Sequence, residues 1–387
     1  MAAPMLVLTA IAAIATVASC AYCLLCIFAG LRFTAGRSAE LQPSALPPVS
    51  MLKPLKGTDP GMYEALRSHC LQDYPQFEVL CGVGDRNDPA IPVAEKLIEE
   101  FPQRAIRLLV CEKKLGANGK VSTLAQLAAL ANHELLVVND SDIRVGPDYL
   151  RTVVTELGQP GVGLITSLYR AVPAGTLASR LEALGISTDF VPGILAARLI
   201  ERRLRFALGA TLALRKRDLQ AIGGFEAIAG YLADDYELGR RIAASDLGVK
   251  LSRCVVETHV PDYHFGQFFS HQLRWARTIR GARPRAYFGL PLTFTLPWAM
   301  LGLVLARGAG WAWLLLGVAA ALRLTMAAVM TSAVLDDKPA CRWLWLVSVR
   351  DLLAVAVWAA GLVGSTVVWR GEKFRVRDGR LEKARPG

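Results

Sequence analysis

The stretch best suited to chemistry is an aliphatic run that ends in acid: Leu135-Leu136-Val137-Val138-Asn139-Asp140-Ser141-Asp142. The run reads as a buried strand, and the Asp-x-Asp at its end sets two carboxylates where the strand turns. Mg²⁺ and Mn²⁺ take oxygen ligands, so Asp140 and Asp142 could hold such an ion and, through it, a nucleotide diphosphate. Asp-Ser-Asp is equally good turn chemistry. A second acidic site, Asp234-Asp235-Tyr236-Glu237, precedes a helical pattern. It either caps that helix or supplies a general base, and an ordinary aspartate with a pKa of about 3.9 serves as one only if the proton moves late. A third site is His271-Gln272-Leu273-Arg274-Trp275, inside a stretch with Arg277, Arg280, Arg283 and Arg285 and no acid. That stretch reads as an amphipathic helix on anionic lipid. Arg274 could also meet a diphosphate, and Trp275 a sugar or a lipid.

Two weaker clusters accompany these. Lys53-Pro54-Leu55-Lys56-Gly57 follows a strand, where a nucleotide could lie, and Gly116-Ala117-Asn118-Gly119-Lys120 is a glycine-bearing turn before a helix, suited to phosphate. Neither has the P-loop spacing.

Strand and helix patterns alternate through the middle of the chain. Strands are expected at 49–52, 77–83, 106–110, 135–138, 162–167 and 253–258, with helices at 91–101 and 120–130 between them. Such alternation predicts an α/β sheet of mostly parallel strands, whose ligands bind beyond the carboxyl ends of the strands. The ends of the chain are apolar. Residues 1–31 carry no charge, 286–306 carry none, 308–335 only Arg323, and 343–369 only Arg350 and Asp351. These read as membrane segments. The organisation expected is an anchor at 1–31, a Pro-punctuated linker at 32–48 and a catalytic domain at 49–262. A basic interfacial helix at 263–285, membrane segments at 286–369 and a basic cytoplasmic tail at 370–387 would follow. Four full crossings would put that tail outside, against its seven basic and three acidic residues. One segment, broken by Pro291 and Pro297 or bearing Arg350–Asp351, is therefore expected to be re-entrant or interfacial.

The formal charge of +11 fits a membrane surface better than nucleic acid, because the basic residues cluster beside the apolar spans. Cys20, Cys23 and Cys26 lack a neighbouring acid or His and read as small lipid-facing residues; the other five cysteines are scattered, which suits a reducing compartment.

Taken in order, these pieces resemble the ceramide glucosyltransferase family, membrane members of the GT-A class of inverting glycosyltransferases. Met51 to Gly57, Asp73-Tyr74-Pro75 and Phe77-Glu78-Val79 look like its opening block. Asn87-Asp88-Pro89-Ala90-Ile91 looks like the site of its first aspartate, 140–145 its metal block, and Asp234-Asp235-Tyr236 its catalytic block. Arg274 and Trp275 match its membrane-proximal motif, where His271 replaces the usual Gln or Arg. The resemblance implies a GT-A, Rossmann-like fold and a UDP-sugar donor, UDP-GlcNAc or UDP-glucose. Asp88 would contact uracil, with Lys53, Pro54, Lys56 and Lys120 at the nucleotide. Asp140 and Asp142 would hold Mg²⁺ or Mn²⁺, and Asp235 would be the base, aided by His271, Arg274 and Trp275. The full Asp-x-Asp is also similar to the bacterial hopanoid-associated branch, which implies an inner-membrane enzyme facing the cytoplasm. The expected acceptor is then a lipid hydroxyl, a hopanoid polyol ahead of ceramide, with no obligatory protein partner. The rival readings are a processive polysaccharide synthase, and a non-catalytic transporter or nucleotide-sugar-binding scaffold.

Overall fold

The computed structural model describes residues 3–38, 46–369, 372–377 and 379–383. Pro43 of the expected linker and residues 384–387 of the expected tail lie outside them. The chain forms two compact units. One, largely helical, takes in 1–38, 173–200 and 262–370; the other, α/β, takes in 39–172, 201–261 and 371–387.

The α/β unit is built on a seven-stranded sheet. Its strands are β1 (Val49–Leu55), β2 (Phe77–Val83), β3 (Ala105–Val110), β4 (Leu135–Val138), β6 (Val162–Thr166), β8 (Leu212–Arg215) and β9 (Gly248–Leu251), in the order β3-β2-β1-β4-β8-β6-β9. The expected mostly parallel sheet is present, and β8 alone runs antiparallel to both neighbours. Strand β1 is buried along its whole length. It pairs in parallel with β2 from Val49↔Phe77 to Leu55↔Val83, and with β4 from Val49↔Leu135 to Leu52↔Val138. This register brings the loops after β1, β2 and β4 to one edge. Met51, Val79, Val137 and Ala213 lie in the core of the unit, together with Leu66, Leu97 and Leu150 from its helices.

Two features differ from the sequence expectation. The strand expected at 253–258 is β10 (Val256–Val260), and it leaves the main sheet to form a second one with β5 (Ile143–Arg144) and β7 (Tyr169–Pro173). Residues of the expected tail form a hairpin, β12 (Glu372–Arg377) with β13 (Arg380–Lys383), after the short β11 (Thr366–Trp369). That hairpin is held in the α/β unit, where Leu381 N donates to Gly230 O and Leu232 N to Gly379 O.

Among the described residues of the helical unit, four helices are long and apolar enough to cross a membrane: Ala3–Ala35, Leu177–Ile200, Gly310–Val334 and Lys338–Gly361. A pair of helices, Pro284–Thr293 and Thr295–Leu305, passes the same test but bends by 53°. The bend falls between the two prolines that interrupt this segment. The Ala3–Ala35 helix turns small residues inward and Leu6, Val7, Ile11, Ile14 and Phe28 outward, as expected of a helix whose solvent is lipid. Its cysteines are on the inner side, contrary to the lipid-facing expectation. Cys23 Sγ lies 3.4 Å from Thr295 Oγ1, and Cys26 is fully buried against Pro192 O. Small thiols let neighbouring helices approach closely.

The segment at 177–200 was expected inside the catalytic domain. Here it is a helix interrupted by a π turn at Ile186–Phe190. Arg180, Glu182, Asp189 and Arg198 hide its apolar character in the sequence. The expected interfacial helix is Phe265–Ala282, with Phe268, Gln272 and Ala276 as its buried stripe. Arg277 and Arg280 donate to the carbonyls of Gly361, Val363, Gly364 and Thr366. They cap the end of the Val347–Gly361 helix, a favourable place for cations.

Candidate active site

The α/β unit gathers its carboxylates around a glycine. Asp140 follows β4, and the helix Asp234–Ala244 begins with Asp234 and Asp235. The chain at Gly209 runs between these elements. A methyl group there would stand 3.1 Å from Asp140 Oδ2, 3.4 Å from Asp235 Oδ2 and 3.7 Å from Lys120 Nζ. Glycine therefore lets the backbone approach two carboxylates and one ammonium closely.

Asp235 is held at both oxygens. Oδ2 accepts from Gly209 N at 2.8 Å and Oδ1 from Tyr236 N at 2.7 Å. Burial raises its pKa, the Asp234 charge beside it adds to that, and Lys120 partly opposes both; the result is about 6. A carboxylate near that value is a far better base than the ordinary one.

Lys120 comes from the turn 116–120. Asn118 caps the helix Gly119–Leu130 by accepting from Val121 N, and its Nδ2 donates to Tyr231 O. Gly116 is pressed against the Ala229 carbonyl, leaving no room for a side chain. The turn is thus fastened, and Lys120 Nζ lies 2.6 Å from Asp140 Oδ1 and 3.2 Å from Asp234 Oδ2. Burial opposes its charge, but Asp140 and then Asp234 outweigh that and hold its pKa above the ordinary lysine value.

Asp142 accepts from Thr258 Oγ1 at 2.6 Å. Its carboxyl is pushed up, first by burial and then by repulsion from Asp140. Ser141 Oγ donates to Asp59 Oδ2 at 2.5 Å, which ties the loop after β1 to this turn. Among the described residues no three His, Cys, Asp or Glu side chains form a metal cage. Mg²⁺ and Mn²⁺ need none, since one or two carboxylates with substrate phosphates and water complete their shell. The strained Asp140–Asp142 pair fits an ion shared with a diphosphate.

Asp88 fastens the loops after β1 and β2. Its Oδ1 accepts from Gly57 N at 2.8 Å and Ala90 N at 2.9 Å, with Gly57 at a φ of +68° that favours glycine. Lys56 is exposed in the same loop, 3.9 Å from Glu372. Lys53 and Pro54 are buried within β1. Lys53 therefore has a different place from the expected nucleotide contact. Its Nζ donates to Asp140 O at 3.0 Å and lies 3.3 Å from His69 Nε2. His69 in turn contacts Asn139 Oδ1 at 3.1 Å, and Asn139 reaches Tyr149 and Ala210 O. Burial lowers the Lys53 pKa to about 8 and holds His69 well below the ordinary histidine value. Lys53 positions the Asp140 backbone from beneath.

The remaining expected residues lie on the Phe265–Ala282 helix of the helical unit. The His271 ring is 5.5 Å from that of Trp275, which is 5.8 Å from Phe190. His271 Nδ1 lies 2.8 Å from Glu182 Oε1. The sequence reading missed Asp59, Gly209, Thr258 and Glu182. Asp59, two residues after Gly57, carried the one usable signal: an acid in a loop after a strand.

A mixed, mostly parallel sheet with an Asp-x-Asp turn at the end of a central strand defines the GT-A class of glycosyltransferase fold. The chain belongs to glycosyl transferase family 21, whose description it matches over residues 7–382. It is similar to ceramide glucosyltransferase 3 of Caenorhabditis elegans, 24% identical over 68% of this chain and 56% of that protein's length. It is also 23% identical to ceramide glucosyltransferase 1 of the same organism, over 86% of this chain and 72% of the relative. Among solved structures, a mannosyltransferase from Pyrobaculum calidifontis in complex with GDP-Man and Mn²⁺ superposes with a TM-score of 0.60. That match is 22% identical and covers 92% of this chain and 99% of the other.

Proposed function

We propose that the protein transfers a sugar from a UDP-sugar to a lipid hydroxyl with inversion, GlcNAc to a hopanoid polyol being favoured over glucose to ceramide. The observation that carries this reading is Asp235, a carboxylate with a pKa of about 6 held against Gly209 and close to Asp140. Asp235 takes the proton of the lipid hydroxyl as its oxygen bonds to the anomeric carbon. The bond from that carbon to the diphosphate breaks, and UDP leaves with the electron pair. A divalent ion bound by Asp140 and Asp142 would neutralise charge on the diphosphate. Asp88 and the Lys56–Gly57 loop bind the uridine, and Lys120 offsets phosphate charge. The family resemblance gives Arg274 the same task and Trp275 contact with the acceptor. Most of the rate then comes from positioning and fixed charge. The α/β unit is assigned to the cytoplasm of a bacterial inner membrane, where nucleotide sugars are made.

The test is a transfer assay with purified protein in detergent, Mg²⁺ or Mn²⁺, and radiolabelled UDP-GlcNAc or UDP-glucose, with hopanoid polyol and ceramide as separate acceptors. Metal-dependent label in the hopanoid from UDP-GlcNAc supports the reading. Label in ceramide from UDP-glucose moves the assignment to a glucosylceramide synthase, and no transfer to any lipid removes it.

A further inference from the structure

The helical unit encloses a polar seam. Along the Leu177–Ile200 segment, Glu182, Gly185 and Asp189 recur at the spacing of one helix face. Opposite them lie His271 and Gln272 of the Phe265–Ala282 helix and Arg350 of the Val347–Gly361 helix. Gly185 has no side chain where Arg350 arrives, and a methyl there would stand 2.5 Å from Arg350 Nε. The guanidinium thus packs against Gly185, which falls between the two acids in the sequence.

The two arginines of this region are used differently. Arg323 is saturated: it donates to both oxygens of Asp351, to Asp189 Oδ1 at 2.6 Å and to Thr188 O at 2.8 Å. Arg350 is 93% buried, yet only Nη2 is engaged, by Gln272 Oε1 at 2.9 Å and by a looser 3.4 Å approach to Asp189 Oδ2. Its Nε and Nη1 have no hydrogen-bond partner, and neither has Glu182 Oε2. Unpaired buried donors and acceptors are expensive, more so among apolar helices, and native proteins keep them where something else completes them. The seam reaches the surface at two places, His271 and Asp189, whose side chains are 21% and 33% exposed. Asp189 lies in the π turn, a distortion frequent at functional sites.

We infer that Glu182, Asp189, His271, Gln272 and Arg350 form a binding site for the neutral, polyhydroxyl head of a lipid. The unmet groups are of both kinds, and a hydroxyl is the group that both donates and accepts. Three carboxylates, Glu182, Asp189 and Asp351, stand against two guanidinium groups and the His271 imidazole, so the seam has no surplus of positive charge to hold a phosphate head. An ammonium head would leave the Arg350 donors unmet. If the proposed transfer is right, on which this identification of the lipid as acceptor rests, the seam grips hydroxyls other than the one that reacts. The acceptor is then a polyol, and a polyprenyl phosphate is rejected.

Binding needs no transfer and can be read first. Full-length protein in detergent is mixed with alkyl lipids of one chain length bearing a single hydroxyl, three vicinal hydroxyls or a phosphate, and complexes are counted by native mass spectrometry. The triol is expected to bind about tenfold or more tighter than the others, with Glu182→Gln and Arg350→Met each bringing it to within about threefold of the single alcohol. Donor KM is expected to stay unchanged in both variants. Equal binding of the three lipids, tighter binding of the phosphate, or a triol preference that survives both substitutions overturns the inference. Should Arg350→Met fail to fold, the isosteric Glu182→Gln and the ranking by unaltered protein decide. Triol-selective binding without sugar transfer would sink the proposed reaction and leave the seam standing.

Discussion

The chain carries two clusters of acids and bases, and they are built on opposite rules. In the α/β unit, Asp140, Asp142, Asp234 and Asp235 outnumber Lys120, and backbone N–H groups hold Asp235 in place. Burial first, and then the repulsion of a neighbouring aspartate, raises the pKa values of Asp142 and Asp235. In the helical unit Glu182, Asp189 and Asp351 each have a guanidinium or imidazole within ion-pair distance. Frustrated charge suits a site that awaits a cation and a proton. Satisfied charge suits a joint between helices, and the few groups left over there mark where a ligand would go.

Breaking the first cluster should have the largest effect. Asp235→Asn keeps the shape and removes the base, so turnover should fall by about 10²–10⁴-fold with UDP-sugar binding retained. Near wild-type turnover would remove Asp235 from that role. In the second cluster, Arg323→Leu strands Asp351 and Asp189. A loss of about 3–5 kcal/mol is expected, visible as a large drop in melting temperature in detergent. An unchanged melting point would mean that the joint contributes little.

Removal of the Asp142 support should act more gently. Thr258→Val is expected to raise the metal concentration for half-activity by about 10–100-fold, without altering protein stability by a comparable amount. A metal-independent enzyme would show no such shift. The smallest effect is in pH. Asp235 is active when deprotonated, so kcat/KM should rise with pH, reach half its plateau near pH 6 and change little above pH 7. A half-plateau near pH 4 would mean that the carboxylate is not frustrated as described.

The legible parts of this fold were those where one pattern dominates. Val137 and Val138 running into Asp140 announced a central strand that ends in acid, and the uncharged first 31 residues announced a long apolar helix. Strand β8 was not legible, because four residues running antiparallel give too short a pattern to separate from a loop. The Leu177–Ile200 helix was hidden by its own ion pairs: charges that are neutralised by partners far along the chain look like surface residues in the sequence. Lys53 failed for the same reason. A lysine after a strand reads as exposed, and only the fold shows that His69 and the Asp140 carbonyl receive it. Gly209 carried no local signal at all, since its importance lies in what surrounds it.

The small hairpin β12–β13 bears on a question of parity. Through Leu381 and Leu232 it belongs to the same α/β unit as residues 46–172. If that unit lies in water on one side of a bilayer, as proposed, the chain from 262 to 370 crosses an even number of times, and the stretch from 173 to 200 likewise. A single helix cannot cross and return. On that topology the Leu177–Ile200 helix would be embedded without traversing. One of the three later candidates would then turn back, and the pair bent by 53° at Phe294 has the shape for it.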